Sequence, residues 1–419
     1  MAKPKFSLRG FWKKLGPGLI TGASDDDPSG IATYSQAGAG FGPKLLWTAI
    51  ATYPLMVSIQ QMCARIGIVT GSGLSGIIKK HYSKSLLYVI LLLSFPSVTI
   101  NIGADIAAMG AVGNMLFPGV SPLIFSIAFT GLLLYSTIRW SYRRIATVLK
   151  WLCLGLFSYI AIPFISGIQW DKVLRDTFVP ALEWNKEYLM ALVGILGTTI
   201  SPYLFFWQAS MEVEERNQRK IMVDKHIIED MQTDVRWGMG LTNLVFYFII
   251  LTTGTVLFKA GIHQIETVEQ AAEALRPLAG NLSYALFALG VIGTGLLAIP
   301  VLGGSLSYML AEAFDWESGL DKKFNQAKGF YITLIVSLIL GLGMHFLNIS
   351  PVKALILTAI LYGVSAPILI AVILHICNKP AIMGKYVNTK LQNFAGGTSL
   401  VLMLAAALAF IGFLTGLFT

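Results

Sequence analysis

Charge is what this sequence has least of. Asp, Glu, Lys and Arg make up only 13% of its 419 residues, against about 25% in an ordinary soluble domain. Histidine and cysteine are as scarce, at five and three residues. Cys63, Cys153 and Cys377 are too few and too scattered for a disulfide framework and are expected to serve as small buried hydrophobes. There is no loop long enough for a soluble catalytic domain, and no metal-ligand cluster of the zinc-site kind, so an enzyme or receptor is not expected. The 31 Lys and Arg outnumber the 22 Asp and Glu, but the basic residues lie in short loops, and a nucleic-acid partner is not implied. What fills the chain is apolar: 55% of residues are hydrophobic. Apolar runs of about twenty residues, each able to cross roughly 30 Å of hydrocarbon, recur from Leu15 to the C-terminus. The chain is expected to be a polytopic all-α protein whose partner is the lipid bilayer.

The runs predict eleven spans, at about 15–38, 45–68, 86–116, 121–138, 145–168, 187–211, 236–258, 282–309, 328–347, 352–377 and 396–417. Lys13 and Lys14 lead into the first without a typical signal-peptide cleavage site. With residues 1–14 as a cytoplasmic tail, all but seven of the 31 Lys and Arg fall on the inner side. The rule that basic loops stay inside then places the N-terminus in the cytoplasm, in an inner (plasma) membrane. The stretch from Glu212 to Arg236 is the most charged of the chain and is expected to form a solvated cytoplasmic helix. The run before Gly280 suggests a short amphipathic stretch on the outer side. No histidine is expected to bind a ligand. His81, His226 and His263 fall in loops, and His345 and His375 near span ends.

Two spans carry polar interruptions. The first holds Ser24-Asp25-Asp26-Asp27-Pro28-Ser29-Gly30. Carboxylates inside a membrane are costly unless they face a cavity or a cation. Leu15 to Ser24 supplies about 15 Å of helical rise, which places Asp27 near the midplane. Pro28 removes a backbone donor, and Ser29 and Gly30 make the chain permissive, so an unwound segment between two half-helices is expected. The sixth span repeats the pattern in Gly197-Thr198-Thr199-Ile200-Ser201-Pro202-Tyr203. Paired interruptions five spans apart suit two inverted five-helix repeats, at 15–168 and 187–377, with an additional helix at 396–417. The third span carries one isolated acid, Asp105, after Asn101, a functional candidate by default.

These residues resemble a known family. Gly16-Pro17-Gly18, Asp27-Pro28-Ser29-Gly30-Ile31-Ala32-Thr33 and Gln36-Ala37-Gly38-Ala39 are similar to the first-helix signature of the Nramp divalent-metal transporters. Ala64 to Gly71 looks like the end of that family's second helix, and Gly197 to Pro202 like the approach to its sixth-helix motif. The resemblance implies a LeuT-type fold, a transported divalent cation and no resident cofactor. It also implies departures at the metal site. The family motif is Asp-Pro-Gly-Asn, and Asp27 matches the Asp while Gly30 stands in place of the Asn. Ser201 replaces a metal-binding Met, Pro202 matches, Tyr203 replaces a His, and Gln208 stands where a second His is common. Asp105 matches a helix-3 Asp, while Ala108 replaces a Glu of the proton route. The helix-10 Gln has no counterpart in the region Thr358-Ala359-Ile360-Leu361-Tyr362.

Losing a thioether removes the preference for soft metals, and oxygen donors suit hard ions. A roomier all-oxygen site fits an ion that keeps several waters, as Mg²⁺ does. The resemblance is therefore to the Nramp-related magnesium transporter branch, with Mg²⁺ expected over Mn²⁺ and weak or absent proton coupling. Asp27 would supply charge. Carbonyls near Asp26 and Thr198, with the Ser201 hydroxyl, would supply oxygens, and Asp25, Asp105 and Gln208 would stand as proton or supporting groups. Gly30, Ser201 and the missing Gln keep a rival open: a transporter of the same fold for a monovalent cation or small organic molecule. A monomer is compatible with the two repeats, and the oligomeric state stays open.

Overall fold

A computed structural model describes residues 16–140, 156, 158–347 and 349–415. The tail 1–14, Cys153 and half of the fifth expected span, 145–168, lie outside them. The described residues fold into helices: α1 Pro17–Asp25, α2 Pro28–Phe41, α3 Trp47–Thr70, α4 Leu74–His81, α5 Lys84–Leu116, α6 Pro122–Arg139, α7 Ser158–Ile165, α8 Trp170–Phe178, α9 Lys186–Thr199, α10 Pro202–Arg219 and α11 Lys225–Val256. After short turns of helix between Val268 and Leu282 come α12 Ser283–Phe314, α13 Lys328–Gly343, α14 Pro351–Cys377 and α15 Lys390–Leu414. Among the described residues, eight helical stretches are long and apolar enough to cross a membrane. The broken pair α1–α2 and the helix α3 match the first two expected spans.

Proline explains where these helices begin. Pro28, Pro122, Pro202 and Pro351 each follow Asp or Ser and open a helix. At that first position the missing N–H costs nothing, and the preceding polar residue can cap the turn. Pro54, Pro96, Pro300 and Pro367 follow Tyr53, Phe95, Ile299 and Ala366 and sit inside helices that continue through them. With no capping side chain before them, the surrounding bundle carries the helix across the lost hydrogen bond.

Glycine sets how closely the helices approach. A Cβ on Gly22 of α1 would collide with the Gly238 carbonyl of α11, and one on Gly197 of α9 with the Ala359 carbonyl of α14. Small residues at such crossings give van der Waals contact where lipid offers no hydrophobic drive. Large apolar side chains are exposed on the outer helices, among them Ile124 and Ile127 on α6 and Val401 and Leu408 on α15, as lipid contact requires.

The loops gather at two opposite ends. At one, Lys79 pairs with Asp315, the Arg216 guanidinium donates to Ile68 O at 2.9 Å, and Tyr386 Oη donates to Val223 O at 3.1 Å. At the other, Lys44 pairs with Glu183 at 2.6 Å and holds its carboxyl below the usual range. There too Gln36 Nε2 donates to His263 O at 3.0 Å. The charged stretch from Glu212 to Arg236 is less solvated than expected. Glu212 is buried against Gln208, whose Nε2 donates to it at 3.0 Å. Asp234 accepts from Gly16 N and Gly18 N at 3.1 and 2.7 Å and so clamps the start of α1. The reason is that α10 and α11 both run on beyond their apolar spans and pack there against α1.

Candidate functional site

Both expected interruptions are breaks of the same local shape. Asp26 (φ −82°, ψ 49°) and Asp27 (φ −69°, ψ 170°) separate α1 from α2. Ile200 (φ −120°, ψ 60°) and Ser201 (φ −77°, ψ 126°) separate α9 from α10. In each, a proline opens the second half-helix, so the carbonyl four residues before it loses its helical donor. Those carbonyls are Ser24 O and Thr198 O, and neither is left bare. Tyr203 Oη donates to Ser24 O at 3.1 Å, crossing from one break to the other. Ser201 Oγ turns back on Thr198 O at 2.7 Å and Gly197 O at 3.1 Å.

Asp27 sits between the breaks, 2% exposed. Its Oδ1 accepts from Gly30 N at 2.7 Å, capping α2, where the partial positive charge of the helix N-terminus favours an anion. Its Oδ2 accepts from Asn101 Nδ2 of α5 at 2.8 Å. Asp26 points elsewhere: its Oδ1 accepts from Thr242 Oγ1 of α11 at 2.7 Å. Asp25 is buried toward the same Thr242, but neither of its oxygens has a hydrogen bond of good geometry. Asp105, one turn beyond Asn101 on α5, faces the Ser29 N–H with both oxygens likewise short of good geometry. The three consecutive acids therefore do not converge. Among the described residues, no three His, Cys, Asp or Glu side chains are arranged to hold a metal ion. The donor set at the break is one carboxylate with carbonyl and hydroxyl oxygens around it.

The space left by Gly30 is already taken. A Cβ there would stand 3.2 Å from Asp25 O, 3.3 Å from Tyr34 Cε2 and 3.4 Å from Thr198 Oγ1. The expectation of a roomier site is not met in this conformation, because the Tyr34 ring and Thr198 close over the position. Gln208 lies apart from the breaks, accepting from Thr21 Oγ1 at 2.6 Å and donating to Glu212; it ties α1 to α10. Asn101, Thr358 and Tyr34 were not among the expected site residues. Asn101 and Asp105 did carry a signal, since polar residues four apart share one face of an apolar helix. A cavity of about 810 Å³ opens near Lys79, Glu214, Tyr308 and Glu312, and no break residue lines it.

A helical bundle with two opposed breaks around a buried carboxylate defines a multi-pass membrane protein of the LeuT-type fold. The solved structure of a manganese transporter from Eremococcus coleocola, in complex with an aromatic bis-isothiourea substituted compound, superposes with a TM-score of 0.75 at 17% identity, covering 99% of this chain and 90% of that one. MhsT in complex with L-phenylalanine superposes at 0.63 with 14% identity, over 94% and 98%. The Nramp model, described as natural resistance-associated macrophage protein-like, matches residues 18–412, and the chain belongs to that family. Its relatives include divalent metal cation transporters MntH. That of Caldanaerobacter subterraneus subsp. tengcongensis is 24% identical over 403 residues, 93% of this chain and 90% of the relative. That of Clostridium acetobutylicum is 25% identical over 413, 95% and 90%. These relatives are transporters rather than enzymes, in line with the sequence.

Proposed function

We propose that this chain is a secondary transporter that carries a hard divalent cation, Mn²⁺ or Mg²⁺, into the cell by alternating access at its two helix breaks. The observation that carries this is the buried Asp27 carboxylate held between breaks that touch through Tyr203 and Ser24. Asp27 supplies the charge. The carbonyls of Asp26 and Thr198 and the hydroxyl of Ser201 supply neutral oxygens to the ion or its waters. Oxygen donors without a thioether suit hard ions. The manganese named for the structural relative supports Mn²⁺, and the missing soft ligand supports Mg²⁺ beside it.

The N-terminus lies in the cytoplasm of a plasma membrane, as the basic loops imply. Residues 15–168 and 187–377 form the two inverted repeats, with 396–417 as the added helix. The half-helices rock against the remaining spans. Coupling to protons is weak or absent. A divalent ion gains about 4.6 kcal/mol per 100 mV, twice the single-charge value, or roughly a 2,000-fold gradient.

Uptake of Mn²⁺, Mg²⁺ and K⁺ into proteoliposomes holding an internal pH dye tests this. Potential-driven Mn²⁺ or Mg²⁺ entry without acidification is expected. Entry of K⁺ in place of both divalent ions would refute the cation assignment, and metal-dependent acidification would refute uncoupled transport.

A further inference from the structure

The Asp27 carboxylate is the last member of a buried polar chain that runs through three helices. Ser29 Oγ donates to Leu355 O at 3.2 Å and lies 3.3 Å from Thr358 Oγ1. Thr358 Oγ1 lies 2.7 Å from Leu355 O and 2.9 Å from Asn101 Oδ1. Asn101 Nδ2 donates to Asp27 Oδ2 at 2.8 Å. Asn101 and Thr358 are fully buried, and Ser29 is 1% exposed.

A threonine hydroxyl has one proton to give. With Ser29 serving Leu355 O, the Thr358 proton is free for Asn101 Oδ1. That hydrogen bond and the pull of the Asp27 carboxylate on the NH₂ set the amide the same way round. With Oδ1 held by Thr358, the NH₂ must point at Asp27. Without it the amide loses its anchor on Oδ1 and holds Asp27 Oδ2 in a less fixed position.

We infer that Asn101 and Thr358 are positioning residues for the transported cation: Thr358 orients the Asn101 amide, and the amide holds Asp27 Oδ2 so that the remaining lone pairs of the carboxylate face the ion. A carboxylate has about four lone-pair sites, and the two hydrogen bonds from Gly30 N and Asn101 leave the others for a cation. Because Asn101 belongs to α5 and Thr358 to α14, the carboxylate is aimed by helices other than the one that bears it. This inference rests on the proposal that Asp27 binds the transported ion.

The test is Mn²⁺ uptake by the full chain in proteoliposomes, with KM and maximal flux measured separately for the parent, Asn101→Ala, Thr358→Val, Thr358→Ser and Ser29→Ala. Each variant is first checked by thermal melting in detergent. Losing one hydrogen bond between neutral groups, such as that from Thr358 to the Asn101 amide, corresponds to a change of up to about tenfold in an equilibrium. Thr358→Val is expected to raise KM severalfold, up to about tenfold, with maximal flux nearly unchanged, and Thr358→Ser, which keeps the donor, to restore the parent KM. Asn101→Ala is expected to raise KM further, and Ser29→Ala less than Thr358→Val. A parent-like KM in Thr358→Val, or a raised KM that Thr358→Ser fails to restore, overturns the inference. If Thr358→Val melts too early to assay, a parent-like KM in Ser29→Ala overturns it and a raised KM supports it. Asp27→Asn separates the two levels. If it transports as the parent does, the cation proposal itself fails, whereas its loss beside a parent-like Thr358→Val leaves that proposal standing without the positioning role.

Discussion

The two helix breaks share a backbone shape and differ in what they do with it. In the first, the residue before the proline is Asp27, whose side chain caps α2 through Gly30 N and brings a charge to the centre of the bundle. In the second it is Ser201, which makes no cap and turns back on Thr198 O and Gly197 O. The orphaned carbonyls are handled in opposite ways. Thr198 O is satisfied within its own break, whereas Ser24 O depends on Tyr203 from the other. One break therefore supplies charge and depends on its partner, and the other supplies neutral oxygen and is self-contained. Two copies of one backbone device reach different chemistry because a single side chain at the cap position differs.

Substitutions can break or sharpen this asymmetry. The largest effect is expected at Asp27: Asp27→Asn should lower Mn²⁺ uptake to the level of empty liposomes, while Ser201→Ala should retain most of it. Equal losses from the two would erase the contrast between charged and neutral breaks. Next comes the first half-helix itself. Gly22→Val drives a side chain into the Gly238 backbone, which cannot yield as a flexible side chain would. A loss of about 3 kcal/mol is expected, read as a lower melting temperature in detergent.

Tyr203→Phe should cost about 1–3 kcal/mol, the penalty for leaving buried Ser24 O without its donor. A double-mutant cycle gives the sharper reading. Tyr203→Phe and Ser201→Ala should add nearly independently, because their hydrogen bonds serve different carbonyls; a strong coupling energy would show that the second break is not self-contained. The smallest effect is expected for Gly30→Ala, under about 1 kcal/mol, because its contacts at 3.2–3.4 Å are with a carbonyl, a ring edge and a hydroxyl. A loss of flux there comparable with Asp27→Asn would mean that the closeness of Tyr34 and Thr198 to the break matters more than the charge.

Much of this site could be read in the sequence. An acid or hydroxyl residue followed by proline inside an apolar run is expensive to keep as plain helix, and both breaks fall where that cost arises, at Asp27-Pro28 and Ser201-Pro202. The same rule separates them from Pro54, Pro96, Pro300 and Pro367, which have no capping residue before them. Less legible was the direction of the three acids. Asp25, Asp26 and Asp27 are adjacent, yet Asp26 is drawn to Thr242 on α11 and Asp27 to Asn101 on α5. The charged stretch after Met211 was legible as polar but not as packed, since its buried contacts are with Gln208 and with the backbone of α1.

What the sequence determined by itself is local: apolar runs of membrane length, breaks where proline follows Asp or Ser inside such a run, and Asp27 as the acid at the helix start. Each depends on neighbours within a turn or two, where periodicity and backbone chemistry decide the outcome. Only the tertiary structure decided which groups meet at the break. Thr358 and Asn101 are 257 residues apart, Tyr203 and Ser24 are 179 apart, and a lone hydroxyl or amide in an apolar span does not announce its partner. The packing of α5, α10 and α14 against α1 and α2 makes that choice. In a medium without water, a buried polar group depends on the partner that the fold brings to it.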